Sequence, residues 1–172
     1  MRSSEKVPCP ICDGNLTVCG SRPRKVIRSN GEKITLIVRR LYCETCHKIH
    51  HELPDAVVPY KHHSARVIEE ALRDDKDSAY IPCENSTIRR LRIWFSLLRP
   101  YIEGALRSLI EIHRKDEALQ ARLKQLLPLD GSGLTGWLKK IVRILVNSGR
   151  WVQTRFASAV QPIRDKILPS SR

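Results

Sequence analysis

Residues 41–54, LYCETCHKIHHELP, crowd two cysteines and three histidines into fourteen positions. Thiolates and neutral imidazoles are both good zinc ligands, and a tetrahedral site takes only four, so some of these side chains must have other roles. The pair Cys43-Glu-Thr-Cys46 has a counterpart upstream, Cys9-Pro-Ile-Cys12, with 30 residues between the two. A C-x-x-C turn folds back so that both sulfurs point to one side. Two such turns brought together by strands close a four-thiolate cage, the zinc-ribbon arrangement. Four thiolates leave no open coordination position, so the spacing predicts one structural Zn2+ on Cys9, Cys12, Cys43 and Cys46.

The insert between the pairs explains its own length. Asn30-Gly31, the dipeptide that favours a type I′ turn, is flanked by Val26-Ile27 and by Ile34, Leu36, Ile37 and Val38, which predicts a β-hairpin returning the chain to the first cysteine pair. His47 directly follows the last cysteine, where it can replace Cys46 as a ligand or donate to a thiolate. His50 and His51 are neighbours on a closing strand, so they point to opposite faces and read as surface or hydrogen-bonded strand residues. Cys19 and Cys83 have no nearby partner in sequence and read as small buried apolar residues. With so little apolar bulk, the metal is expected to supply much of the folding free energy, ~10 kcal/mol in comparable zinc peptides. Its removal is expected to unfold residues 1–55.

Composition narrows the partner. A formal charge of +13 on 172 residues, with the basic excess in 1–63 and 100–172, predicts an anionic partner, duplex nucleic acid before a membrane surface. No apolar run reaches the ~18–20 residues of a membrane span, and paired cysteines outside a secretory context suit a reducing, cytoplasmic setting.

After Pro59 the pattern becomes helical. Ser64 caps a predicted helix through ARVIEEALRDD, with Val67, Ile68, Ala71 and Leu72 as its apolar stripe and Glu69, Glu70, Asp74, Asp75 and Asp77 outside it. A second helix, STIRRLRIWFSLLRP, starts from Asn85 or Ser86 as N-cap and is stopped or bent by Pro100. Ile88, Leu91, Phe95 and Leu98 share one face, and Ser86, Arg89, Arg90 and Ile93 share the other. Ser86, Thr87, Arg89, Arg90 and Ile93 are therefore candidate DNA contacts, in the manner of a helix-turn-helix recognition helix entering a major groove. The blander reading is a surface helix with solvated arginines; the net charge and the neighbouring ribbon favour DNA. The Asp75-to-Asn85 connection is longer than the usual turn of that motif. Residues 101–127 read as further helix. Past the turn-rich stretch LPLDGSGLTG, Leu134, Trp137, Leu138, Ile141 and Leu145 form a stripe opposite Lys139, Lys140 and Arg143, suited to packing or homodimer formation more than to a membrane surface.

The strings PCPICDG and GSRPRKVIRSNGEKITLIVRRLYCETCHKIHHELPDAVVPYK, with STIRRLRIWF, resemble an uncharacterised bacterial family, a domain of unknown function found in proteins linked to transposons and other mobile elements. The resemblance covers about residues 8–95. It implies that the four cysteines are the ligand set and, by similarity to transposase N-terminal regions, that the ribbon and helix-turn-helix-like segment recognise element DNA.

The expected fold is α+β: a zinc ribbon over 1–60, a helix-turn-helix-like region over 61–100, a helical region over 101–160 and a disordered tail over 161–172. The acids of 100–172 are Glu103, Glu111, Asp116, Glu117, Asp130 and Asp165, with no strand core to gather them around metal ions. The glycine loop at Asp130 lacks the lysine a phosphate cradle needs, and no nucleophile and base set stands out, so the chain is not expected to be an enzyme. The leading expectation is a zinc-containing, transposon-associated or regulatory DNA-binding protein. The alternative is a zinc-ribbon adaptor that docks on a transposase or RNA polymerase without reading DNA, and a third is a hydrolase using His47, His50 or His51 at an open zinc.

Overall fold

The computed structural model describes residues 8–73, 81–129, 135–151 and 156–158, the last by backbone alone. The expectations for Asp74, Asp75, Asp77, Asp130, Leu134, Asp165 and the 161–172 tail lie outside those residues. Strands β1 (Leu16–Ile27), β2 (Lys33–Cys43) and β3 (Ile49–Leu53) form an antiparallel sheet, and β4 (Phe156–Ser158) adds to β3 in parallel, giving the order β1-β2-β3-β4. Helices α1 (Ala65–Leu72), α2 (Asn85–Ile112), α3 (Glu117–Lys124) and α4 (Trp137–Asn147) complete an α+β fold.

The β1–β2 hairpin forms where the turn residues place it, but not with the expected turn. Gly31 has φ of 82° while Asn30 is not left-handed, Gly31 N–H donates to Arg28 O at 3.0 Å, and Arg28 N–H donates to Glu32 O at 2.9 Å. That is a type I turn closed by a left-handed glycine, a three-residue loop rather than the two-residue type I′. Asn30 serves through its side chain, whose Oδ1 accepts from Glu32 N–H at 3.0 Å. Pro23 is tolerated in the middle of β1 because that strand is the sheet edge. Between Val18 and Gly20 the register slips, and Cys19 at this bulge is exposed, not the buried apolar residue its sequence surroundings suggested.

One core runs from Leu53 and Val58 through all four helices to Trp151. The α1 stripe is as expected, with Ser64 Oγ accepting from Val67 N–H. Pro100 does not end α2. The helix is continuous over 28 residues because Leu91 and Phe95 before the proline and Ile102, Leu106 and Leu109 after it are buried on the same side. Burial of five such side chains, ~1.5–3 kcal/mol each, outweighs the ~3 kcal/mol cost of an interior proline. Glu84, not Asn85 or Ser86, is the N-cap, and Ser86 Oγ donates to Glu84 Oε2 at 3.4 Å. The expected stripe of α4 is also in the core, with Trp137, Leu138, Ile141 and Leu145 all buried. Among the described residues no helix is long and apolar enough to cross a membrane.

Charged side chains tie the helix ends together. Glu69, expected on the solvent side of α1, is only 3 % exposed. Its carboxylate accepts from Gly136 N–H at 3.0 Å and Leu138 N–H at 2.8 Å, so α1 caps the start of α4, whose own N-cap Gly136 has no side chain to do so. Arg92 of α2 donates to Ala71 O and Arg73 O, both at 2.8 Å, and closes the C-terminal end of α1. Asp55, after β3, pairs with Arg143 of α4.

Desolvation raises the Glu69 carboxyl above its ordinary range, and the α4 amides only partly offset it. A carboxyl raised in the folded state binds its proton more tightly there than in the unfolded chain, so its contribution to stability grows as pH falls from neutral through the folded pKa toward 4.5. Glu69→Ala, which strands the α4 amides, should cost about 1–3 kcal/mol in urea unfolding. Glu69→Gln should cost less and remove that pH-dependent component, read as the difference between wild-type and variant stability curves across pH.

Candidate metal centre

The two C-x-x-C turns have the same local conformation. In the first, Cys9 N–H donates to Gly14 O at 2.9 Å, and Asp13, directly after the second cysteine, is left-handed with φ of 60°. In the second, Cys43 N–H donates to Lys48 O at 2.9 Å, and His47 occupies the equivalent place with φ of 55°. A left-handed non-glycine residue costs about 1 kcal/mol or more, and both turns need one to bring their sulfurs inward. The β1–β2 pairing sets Leu16 opposite Cys43 and so carries the first turn to the second. Gly14 lets them meet, because a Cβ there would run into the Thr45 side chain and lie 3.2 Å from Cys43 Sγ.

The sulfurs converge. Cys9 Sγ is 3.7 Å from Cys46 Sγ, Cys12 Sγ is 3.4 Å from Cys43 Sγ, and all four lie within 4.8 Å of one another. A regular tetrahedron with metal–sulfur bonds of ~2.3 Å has sulfur–sulfur edges of ~3.8 Å, so the cluster can hold one metal ion. Ile11 N–H approaches Cys9 Sγ at 3.4 Å, the kind of amide contact that steadies a thiolate. Burial pushes the Cys9 thiol up to about 12, and desolvation also raises Cys46. At Cys43 desolvation acts in the same direction, but hydrogen bonds from the Cys46 amide and the Cys12 side chain outweigh it and bring the thiol to about 6.

The three histidines now have distinct places. His50 is fully buried on β3, opposite Leu41, with Nε2 3.3 Å from Cys9 Sγ. This is the thiol contact that sequence position suggested for His47. His47 instead forms the turn, its Nδ1 2.8 Å from Tyr42 Oη, and His51 is half-buried on the other face of the strand. Cys19 and Cys83 stand outside the cluster.

The second group of candidate residues lies on α2. Ser86, Arg89, Arg90 and Ile93 are exposed and Thr87 is half-buried, while Leu91 and Phe95 pack inward with Ile88 and Leu98 at the margin. Arg89 and Arg90 have no ion-pair or hydrogen-bond partner among the described residues. Of the basic residues on β1, Arg24 is committed to the fold, donating to Val58 O at 2.7 Å and Lys61 O at 3.1 Å, and Arg28 pairs with Glu32. Arg22 and Lys25 are exposed.

Fold and cage together define an α+β protein in which a four-cysteine cluster able to hold a metal ion is joined to a helical core. Residues 9–91, which hold all four clustered cysteines, the hairpin, α1 and the first turns of α2, match the family described as Domain of unknown function (DUF6431). No curated protein and no solved structure matches the chain.

The full chain should take up one metal ion, and Cys9→Ser or Cys46→Ser should abolish uptake while Cys19→Ser and Cys83→Ser retain it, measured by elemental analysis of purified protein. Because the Cys9 and Cys46 thiols are raised and the metal takes thiolates, binding must release protons. Apparent affinity should therefore fall as pH is lowered, in competition titrations with a chromophoric chelator.

Proposed function

We propose that the chain is a zinc-stapled, non-enzymatic DNA-binding protein in which α1 and α2 act as the helix-turn-helix-like unit. The observation that carries this reading is the pair Arg89 and Arg90, exposed and unpaired among the described residues on the first turns of a helix whose opposite side is fixed in the core, in a chain of net charge +13. Arginine forks match the acceptor pair on a guanine edge and also bind phosphates. Ser86 and Thr87 add hydroxyls for the backbone, and Ile93 an apolar contact for a thymine methyl. Arg92, bound to the end of α1, sets the angle at which α2 is presented.

Zinc is the metal this reading assigns to the cage, since four thiolates in tetrahedral spacing suit it and need no open position. Bound there, it supplies a rigid crosslink. The reducing cytoplasm is the matching compartment. The resemblance of residues 8–95 to proteins linked to mobile elements points to the DNA of such an element as the target.

Selection from a random duplex pool at near-physiological salt, using zinc-loaded protein, tests the reading: a recovered motif is expected. Affinity for it should fall steeply with salt. Arg89→Ala should weaken binding by about 1–3 kcal/mol and relax preference at one position, whereas Lys139→Ala should weaken all sequences alike. Failure to recover any motif, with no duplex affinity beyond that of a basic peptide of equal charge, would refute the proposal.

A further inference from the structure

The exposed side of α2 does not end at Ile93. Counting on by steps of three or four, the same line of the helix holds Ser86, Arg90, Ile93, Leu97, Tyr101, Gly104, Ser108 and Glu111, and every one of these is exposed. Steps of four and three are the spacing at which one helix lies along another. Ile93 is 51 %, Leu97 77 % and Tyr101 45 % exposed, an apolar centre unusual on a solvent face of so basic a chain. Gly104 adds to the anomaly. An exposed glycine in a helix interior costs about 1 kcal/mol relative to alanine, and nothing lies within 4 Å of the place its Cβ would take.

We infer that this line is the seat of a second copy of the chain, with the two α2 helices packed antiparallel about a two-fold axis between Pro100 and Tyr101. The line is self-complementary in that register and no partner of other chemistry is needed to explain it. Arg90 falls opposite Glu111 of the second copy, placing a cation against an anion at both ends. Leu97, the most exposed apolar side chain of the helix, falls opposite Gly104 of the second copy, where the missing side chain leaves room for it. Ile93 meets Ser108, and Pro100 and Tyr101 meet around the axis. Each contact occurs twice, as a closed two-fold interface requires. Ser86, Arg90 and Ile93 are also among the residues assigned above to DNA. Resting on that reading, the second step of the inference is that duplex and second copy compete for the same face, and that the dimer is the DNA-free state.

Sedimentation equilibrium of the zinc-loaded full chain without DNA tests the first step. Wild type should show a monomer–dimer equilibrium, and Leu97→Glu, an exposed position whose change leaves the core untouched, should weaken it about tenfold or more. Arg90→Glu and Glu111→Arg should each weaken it, and the double variant Arg90→Glu/Glu111→Arg should restore it, because only the antiparallel register brings these two positions together. A chain that stays monomeric at every concentration, a dimer indifferent to Leu97→Glu, or a double variant no better than the singles would each overturn the inference. For the second step, Leu97→Gln, which removes the apolar contact without adding charge beside the duplex, should weaken the dimer yet bind the selected duplex at least as tightly as wild type, and wild-type dimer should dissociate as duplex is added. Ternary complexes of duplex with intact dimer would overturn the competition while leaving the dimer standing. Normal self-association without any duplex binding would remove the DNA reading alone.

Discussion

The meeting of Cys9, Cys12, Cys43 and Cys46 is the constraint on which the rest depends. Two turns, each with a left-handed residue after its second cysteine, approach so closely that Gly14 has no room for a side chain. Left as thiols, the four sulfurs are an awkward cluster: burial raises Cys9 and Cys46 while hydrogen bonds lower Cys43. A bound cation would relieve that conflict by taking all four as thiolates. The cage also reaches beyond the sheet. Gly149, just past α4, has φ of 67° and lies so close to Pro10 that a Cβ would be 2.8 Å from the Pro10 carbonyl oxygen. Next to it, Arg150 O accepts from Tyr101 Oη of α2 at 2.6 Å. The first cysteine turn is thereby linked, through the end of α4, to the helix assigned to recognition.

The helical part is organised by charged side chains, one of them the buried Glu69, as much as by apolar packing. Glu69 satisfies the amides that begin α4, Arg92 the carbonyls that end α1, and the Asp55–Arg143 pair holds α4 to the segment after β3. Helix termini carry orphaned polar groups that are costly to bury unpaired, so the Glu69 and Arg92 contacts specify which helix end each of them meets. Arg39 and Glu52 do the same inside the sheet, where Glu52 also accepts from the Arg39 amide.

Local signals are legible in the sequence and non-local ones are not. The C-x-x-C spacing, the hairpin position, the Ser64 cap and the alternation of apolar residues on α1, α2 and α4 all depend on neighbours within a few residues, and the structure matches them. The type I′ expectation misses because Asn-Gly serves equally in a three-residue loop when the glycine alone is left-handed. Pro100 reads as a stop only if the helix is considered in isolation. Glu69 looks like one more acid beside Glu70, since its amide partners follow 67 and 69 residues later. His50 is hidden in the same way, 41 residues from the thiol it touches, while the adjacent His47 attracts attention and turns out to serve backbone geometry.

The parallel pairing of β4 with β3 has a consequence for how the molecule is made. His51, Glu52 and Leu53 find their outer neighbours only in Phe156, Ala157 and Ser158, about a hundred positions downstream. During synthesis the cysteine cage can therefore close early, while the flank of β3 waits uncovered until that late segment leaves the ribosome. Over that interval the growing polypeptide presents the unpaired edge of β3 beside the closed cysteine cluster, an edge that its own last strand must reach.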